Sequence, residues 1–423
     1  MDILLLFVGI IFLCKGREDW VLFIIVFLAS NYFQMRLPTE IVRPTIPFVH
    51  HVSDTGLLLY VLLFCRTTSV YGVQTSDRKV NIGLGIFAVY LIFSVIVDLT
   101  HNVLLSDISF LLRPFLYFTL IFITGSFSYN TCLAVIKKIY YSTIALCALI
   151  LFQRFSSIEI IPFLEITGRG VKPPIFAIFC SFLAFINYFD HNKTLQVIYV
   201  ILLLFPILII AKMTYLISVF LLIALYISAN NGVKFSKIVI SVILLSVLSI
   251  VSVFFSPDLV IRVEDFLAGI ENVKDVEYSD NSSYRLAHAY ERLLYVIHGG
   301  EYEFFRGVGF ISEAHFHSNV FDIGLINRNT DEVIQLDTGD IAWSLFFVRY
   351  GIVGTVIFLF FIGSLINSLL NVSQLSRMFA FYLIVAICFQ SFGNAVVFDA
   401  FFYILPLLFV NKTSEIETIQ EYE

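Results

Sequence analysis

The chain has 423 residues, 59% hydrophobic and only 14% charged, with 46 phenylalanines and a formal net charge of −6. Globular chains are about a quarter charged, so this composition excludes a soluble globular protein and a nucleic-acid binder and predicts an integral membrane protein. The six cysteines (Cys14, Cys65, Cys132, Cys147, Cys180 and Cys388) all lie in or beside apolar segments and form no CxxC or disulfide framework, so they read as small core residues.

A membrane-spanning helix needs about 20 apolar residues. In chain order, apolar segments fall near 2–14, 20–34, 55–65, 80–98, 108–125, 139–153, 175–189, 195–211, 213–229, 236–255, 343–369, 376–393 and 395–410. The first lacks a basic start and a small-residue cleavage site and reads as a span, not a signal peptide. The first and third are short, and 195–211 meets 213–229 in a very tight turn at Lys212. The expected fold is therefore all-α, a polytopic membrane helix bundle with about 11–13 transmembrane helices.

One polar island, residues 256–342, divides an N-terminal bundle (1–255) from C-terminal helices and a short tail (343–423). Its acids outnumber its bases by about ten, and it carries His288, His298, His315 and His317. Hydrocarbon cannot hold such a stretch, so it must lie in water on one side of the membrane. With the island outside, the short cytoplasmic loops hold Lys15, Arg17, Arg66, Arg78, Lys79, Lys137, Lys138, Lys193, Lys234, Lys237 and Arg377, a positive-inside bias that favours this orientation. A bacterial inner membrane with a periplasmic island is the simplest setting.

Within the island, Asp280-Asn281-Ser282-Ser283 offers N-caps and Gly299-Gly300 a stop, which predicts a helix between them. Leu286, Ala289, Tyr290, Leu293, Leu294 and Ile297 share one face; Arg285, His288 and Arg292 share the other. Two guanidiniums and an imidazole in a row suit a phosphate or diphosphate, since Arg binds such oxygens bidentately; the competing reading is a solvated face. Further on, 319–325 and 332–336 alternate around a turn-like 327–331, which predicts a hairpin. Asp337 and Asp340 come where the island re-enters the membrane, either as functional carboxylates or as caps of the following helix. Arg113 inside an apolar segment, Lys212 in the tight turn, and Arg169 in Gly168-Arg169-Gly170-Val171-Lys172-Pro173-Pro174 are membrane-level cations, functional candidates unless they snorkel to headgroups.

This layout, together with Arg169 and its glycines, Ala211-Lys212-Met213-Thr214, Ser283-Tyr284-Arg285 through Arg292, Phe305-Arg306-Gly307-Val308-Gly309-Phe310, and Ala342-Trp343-Ser344 through Gly351-Ile352-Val353-Gly354, resembles the O-antigen polymerase and O-antigen ligase superfamily, the Wzy-type polysaccharide polymerases. The chain departs from that pattern in having Lys212 in place of an arginine, and Asp337-Thr338-Gly339-Asp340 where members carry His-Asn. The resemblance implies a metal-independent membrane glycosyltransferase with no cofactor. It would transfer a growing glycan from undecaprenyl diphosphate to a lipid-linked repeat unit, with a flippase and a chain-length regulator as partners. The chemistry needs cations for the departing diphosphate and a base for the acceptor hydroxyl. The diphosphate would fall to Arg285, Arg292 and Lys212, with Arg169, Arg113 and His288 in support; the base to Asp340, then Asp337, His317 or His315. A ligase transferring glycan to a lipid A core shares the layout. A flippase is the rival from another class, although no internal repeat of the kind common in carriers is visible.

The Lys/Arg distribution generates a direct test. Single cysteines placed by Ser279→Cys or Asn329→Cys should react with a membrane-impermeant thiol reagent in intact cells with a permeabilised outer membrane. Labelling only after the inner membrane is disrupted would reverse the topology.

Overall fold

The computed structural model describes residues 2–31, 52–74, 77–156, 166–167, 170–171, 174–189, 192–209, 213–230, 281–326, 332–336 and 341–412. The described fold is all-α apart from a short antiparallel pairing of Ile166–Thr167 with Gly170–Val171. The helices are α1 (Asp2–Cys14), α2 (Glu18–Ala29), α3 (Val52–Tyr71), α4 (Arg78–Thr100), α5 (Leu105–Leu112, continued by a 3-10 helix Arg113–Phe122), α6 (Tyr129–Ser156), α7 (Ala177–Phe185), α8 (Lys193–Ile209), α9 (Met213–Asn230), α10 (Asn281–His298), α11 (Glu301–Arg306), α12 (Ala342–Leu370), α13 (Gln374–Cys388) and α14 (Ile404–Leu408).

Among the described residues, five helical stretches are long and apolar enough to cross a membrane: Arg78–Thr100, Leu105–Phe122, Tyr129–Gln153, Ala342–Leu370 and Gln374–Phe392. Asp2–Cys14, Lys193–Leu204 and Ile217–Ala229 are shorter apolar helices. Two expected segments differ in form. The weak third one is a full helix, α3, while 395–410 is not one continuous helix: 3-10 turns at Ala395–Phe398 and Ala400–Tyr403 lead into the short α14. The expected segment at 236–255 lies outside the described residues.

The centre of the bundle is an antiparallel pair, α4 and α12. The buried stripe of α4 is Gly83, Phe87, Tyr90, Ser94 and Asp98, spaced by three or four residues as one helix face demands. Gly83 lets the backbones meet, since a Cβ there would stand 3.1 Å from the Phe361 Cα. Above it Phe87 packs against Phe358 (5.3 Å between ring centroids), Phe115 (5.8 Å) and Tyr350 (5.9 Å). The abundant phenylalanines thus interlock α4, α12 and the 3-10 helix after α5.

α12 is kinked at Gly351, whose φ of +61° lies in the left-handed region that favours glycine. A kink frees helix carbonyls, and several around this one accept from side chains or from the island. Tyr90 Oη donates to Tyr350 O (2.8 Å), Val308 N to Val348 O (2.6 Å), and Thr355 Oγ1 to Gly351 O (2.5 Å) and Phe346 O (3.1 Å). Gly307 of the island sits on this kink: a Cβ there would come 2.1 Å from Val348 O, and one on Gly351 would come 2.6 Å from Gly307 N. The two Gly-containing stretches singled out in the sequence are therefore the two halves of one close backbone contact.

The island is then clamped to the ends of α4 and α5 by charge. Asp98, buried in α4, pairs with Arg306 and accepts from Phe310 N (2.9 Å). Arg349 on α12 donates to the Gly309 and Ile311 carbonyls. Asp107 on α5 accepts from Ser312 N (3.0 Å) and contacts His315 Nδ1 (2.8 Å).

Removing one member of a buried ion pair leaves the other uncompensated, at a cost of about 3–5 kcal/mol. Arg306→Gln and Asp98→Asn should each lower the thermal unfolding midpoint in detergent strongly. The double variant, which keeps a neutral hydrogen-bonding pair and the acceptor for Phe310 N, should be more stable than either single. Additive losses in the double would show that the pair is not coupled.

Candidate functional site

The site is built at the junction of island and spans. α10 forms where the sequence predicts, but its most deeply packed side includes residues expected to be polar and open. The side expected to face water is the packed one: His288 is 1% exposed and Arg292 0%, whereas Ile297 is 47% exposed. Burying these two polar side chains is tolerated because each has a partner at one or more of its atoms. His288 Nδ1 lies 2.8 Å from Ser344 Oγ, which ties α10 to the first turn of α12. Arg292 donates to Ile323 O, pairs with Glu291, and stacks over the Phe321 ring at 4.3 Å. Glu291 in turn accepts from Asp322 N (2.7 Å) and Ile323 N (3.3 Å). Arg292 thereby holds the 321–323 stretch against α10 from a fully buried position, whereas the expected diphosphate role asks for a guanidinium open to a ligand. His288, expected to support the same ligand, is likewise buried and links α10 to α12.

Burial pushes the His288 imidazole down to about 3, and Arg292 beside it adds to the effect, so the ring is neutral at ordinary pH. Burial raises the Glu291 carboxyl, while Arg292 and the two backbone N–H groups oppose it.

Arg285, one turn before His288, is half-buried and forms no ion pair among the described residues; its Nε has no hydrogen-bond partner. Among the described island residues it is the cation without an ion pair. Arg113, by contrast, pairs with buried Asp54 (2.9 Å) and lies over the Phe110 ring at 4.5 Å. Its charge is thus paired within the bundle, with the side chain 22% exposed.

Of the two base candidates among the described residues, His315 and His317, His315 is the one held by a carboxylate. Asp107 is buried, and its carboxylate can only accept, so the proton on the imidazole sits on Nδ1 and leaves Nε2 as the accepting nitrogen. The His315 side chain is 46% exposed. A buried carboxylate fixing the tautomer of an accessible imidazole is the arrangement a general base needs. The sequence did not single out Asp107; an acid in an apolar run was the signal for it. His317 is exposed. Asp340, Asp337, Lys212 and Arg169 lie outside the described residues.

The expected hairpin appears as two runs joined by one antiparallel bridge, Ile326 to Val333, with 327–331 outside the described residues. Side chains do the rest of the joining. Gln335 Oε1 accepts from Val320 N (3.0 Å) and Phe321 N (2.9 Å), and Glu313 accepts from Gln335 N (2.7 Å) and Leu336 N (2.6 Å). This network keeps the turn bearing His315 in place.

No family model matches the chain, and no curated protein matches it.

The neutral, buried His288 has a pH consequence. Its folded value lies below the ordinary 6.5 of the unfolded chain, so its contribution is intact above about pH 6.5 and is lost as pH falls toward 3. Stability should therefore drop over that window by at most about 1.4 kcal/mol per pH unit from this group. His288→Gln, which keeps a partner for Ser344 without a titrating ring, should flatten that part of the profile, as read by the unfolding midpoint between pH 7 and 4. An unchanged slope would remove His288 as its source.

Proposed function

We propose that the protein is a polysaccharide polymerase of the Wzy type, transferring a growing glycan from undecaprenyl diphosphate to a lipid-linked repeat unit at the outer face of a bacterial inner membrane. In this reading about 11–13 spans carry a periplasmic island. The observation that carries it is convergence. Stretches far apart in sequence that bear the resemblance, 285–292, 305–310 and 342–354, pack against one another at the end of α4. Arg285, on the first stretch, forms no ion pair among the described residues, and His315, five residues beyond the second, is oriented by Asp107.

In the reaction, the bond from the donor sugar's anomeric carbon to the diphosphate breaks as the acceptor hydroxyl attacks. Arg285 stabilises the charge left on the departing diphosphate, and a bidentate guanidinium matches its oxygens. Lys212 and Arg169 remain further candidates for that charge. His315 Nε2 takes the acceptor's proton, with Asp107 stabilising the imidazolium that forms. Asp340, at the island's return to the membrane, is the alternative base. A ligase would use the same groups on a different acceptor.

The test is reconstitution in liposomes with a lipid-linked repeat unit, read by the length distribution of the glycan. Arg285→Ala and His315→Gln should each reduce chain extension by about a hundredfold or more while protein level holds. Arg285→Lys should rescue poorly, because a point charge cannot reproduce the fork. Full activity in His315→Gln with loss in Asp340→Asn would move the base to Asp340. Transbilayer movement of the lipid without chain growth would identify a flippase instead.

A further inference from the structure

The island buries His288 and Arg292 but leaves large apolar side chains open. Ile297 ends α10 exposed, and on α11 Tyr302 (58%), Phe304 and Phe305 (50%) are exposed as well. Arg306, the one basic residue of α11, is buried against Asp98. Scattered exposed apolar residues need no explanation, but a cluster of this kind marks a contact surface.

The position of α11 says what covers it. The Tyr302 ring meets the His101 ring edge-on, 5.5 Å between centroids, just past the last residue of α4. On its other side α11 touches the kink of α12: a Cβ on Gly351 would stand 2.6 Å from Phe304 O and 2.7 Å from Glu303 O. Beyond these two points both helices turn large apolar side chains outward, Ile92, Ile96 and Leu99 on α4, Val356 and Phe360 on α12. Both helices are long and apolar enough to cross a membrane. The hydrocarbon of a bilayer is about 30 Å thick. At the rise of an α-helix, Val80 to Leu99 covers about 29 Å and Gly351 to Leu370 about 29 Å, whereas the whole of α12 covers about 42 Å. The hydrocarbon therefore ends near Leu99 and Gly351, and α11 lies at that level.

We propose that α11 and the end of α10 dock on the bilayer itself, with Ile297, Tyr302, Phe304 and Phe305 set into the boundary between headgroups and acyl chains. Aromatic side chains favour that boundary, where the ring body meets the chains and a polar edge meets the headgroups. The patch continues the outward-facing apolar stripes of α4 and α12, so one bilayer covers all three. Its exposed ionisable neighbours are Glu301, His298 and His101, and no exposed lysine or arginine is among the described residues of the island. Docking therefore comes from apolar burial and not from attraction to anionic lipid. The bilayer would hold α11 from outside while Asp98 holds it from within. Nothing in this inference depends on the proposed glycan chemistry.

Tryptophan placed in the patch reports its depth. Phe305→Trp and Tyr302→Trp put the probe at exposed positions, and Phe360→Trp, on the outward face of α12 beyond the kink, is the deep reference. Each variant is reconstituted in liposomes, and its emission is read as the difference from the unchanged chain, whose tryptophans are Trp20 and Trp343. The added emission at 305 and 302 should be lost most to lipid brominated near the headgroup end of its chains. That at 360 should be lost most to lipid brominated near the chain ends. Iodide in the water should quench all three weakly, and replacing zwitterionic with anionic lipid should change nothing. Quenching at 305 and 302 by iodide and not by brominated lipid, with 360 still responding, would put the patch in water and overturn the docking. Shielding from iodide and from both lipids would assign the patch to a protein partner or a second copy and overturn it too. A requirement for anionic lipid would overturn its apolar basis, and a silent 360 would remove the bilayer from α12 and the inference with it.

Discussion

The constraint on which the rest of the structure depends is the buried pairing of Asp98 with Arg306. An acid near the end of a membrane helix is costly to bury, and an arginine buried in the island is equally costly. Each is tolerable only because the other is there. The consequence is positional: the island cannot move away from α4 without exposing two unpaired charges to a poor solvent. Phe310 N on the second carboxylate oxygen, and Arg349 on the Gly309 and Ile311 carbonyls, extend the same demand along the following residues. A hydrophilic stretch that composition alone would make a loose loop is thereby held as a cap on the bundle.

Glycine makes that pairing geometrically possible. Gly309 has φ of +82°, and a Cβ on it would stand 2.4 Å from the Asp98 carboxylate. Gly307 and Gly351 let two backbones touch where side chains would separate them, and Gly354 receives the Tyr90 ring, which in turn reaches the carbonyl freed by the kink. Backbone contact, ion pair and kink are one device, assembled from three stretches of sequence. The same device sets the height of the Ser312–His315 turn, so the accessible imidazole inherits its position from a buried charge pair.

Much of this was legible in the sequence. Hydropathy gave the apolar helices, and the caps of α10 gave its existence, because both depend on local residue order. What failed was the facing of α10. The pattern of Leu293 and Ile297 against His288 and Arg292 reads as apolar in and polar out, which assumes that water is the best partner for polar groups. Here Ser344, Ile323 O and the Phe321 ring are better placed than water, and no periodicity encodes them. The membrane-level acids were missed for a different reason. The cost of a charge in an apolar run is the same for both signs, so Asp54, Asp98 and Asp107 mark positions that need a partner just as the arginines and lysines do. Weighed for both signs, that cost would have marked the partners of Arg113, Arg306 and His315 from the sequence.

The charges around the junction then separate into two kinds. Arg113 answers Asp54, Arg306 answers Asp98, and Arg292 answers Glu291 and a carbonyl; each compensates a cost of burial that the fold has already incurred. Such groups are poor ligands, because binding anything else first breaks what they hold. Arg285 compensates nothing among the described residues, and its half-buried position lets an incoming anion be desolvated without displacing a carboxylate. The number of cations on α10 is therefore a weak guide to its chemistry. Which cation the fold leaves without a counter-charge is the stronger guide, and among the described residues of the island it is Arg285, one turn from the residue that fastens α10 to α12.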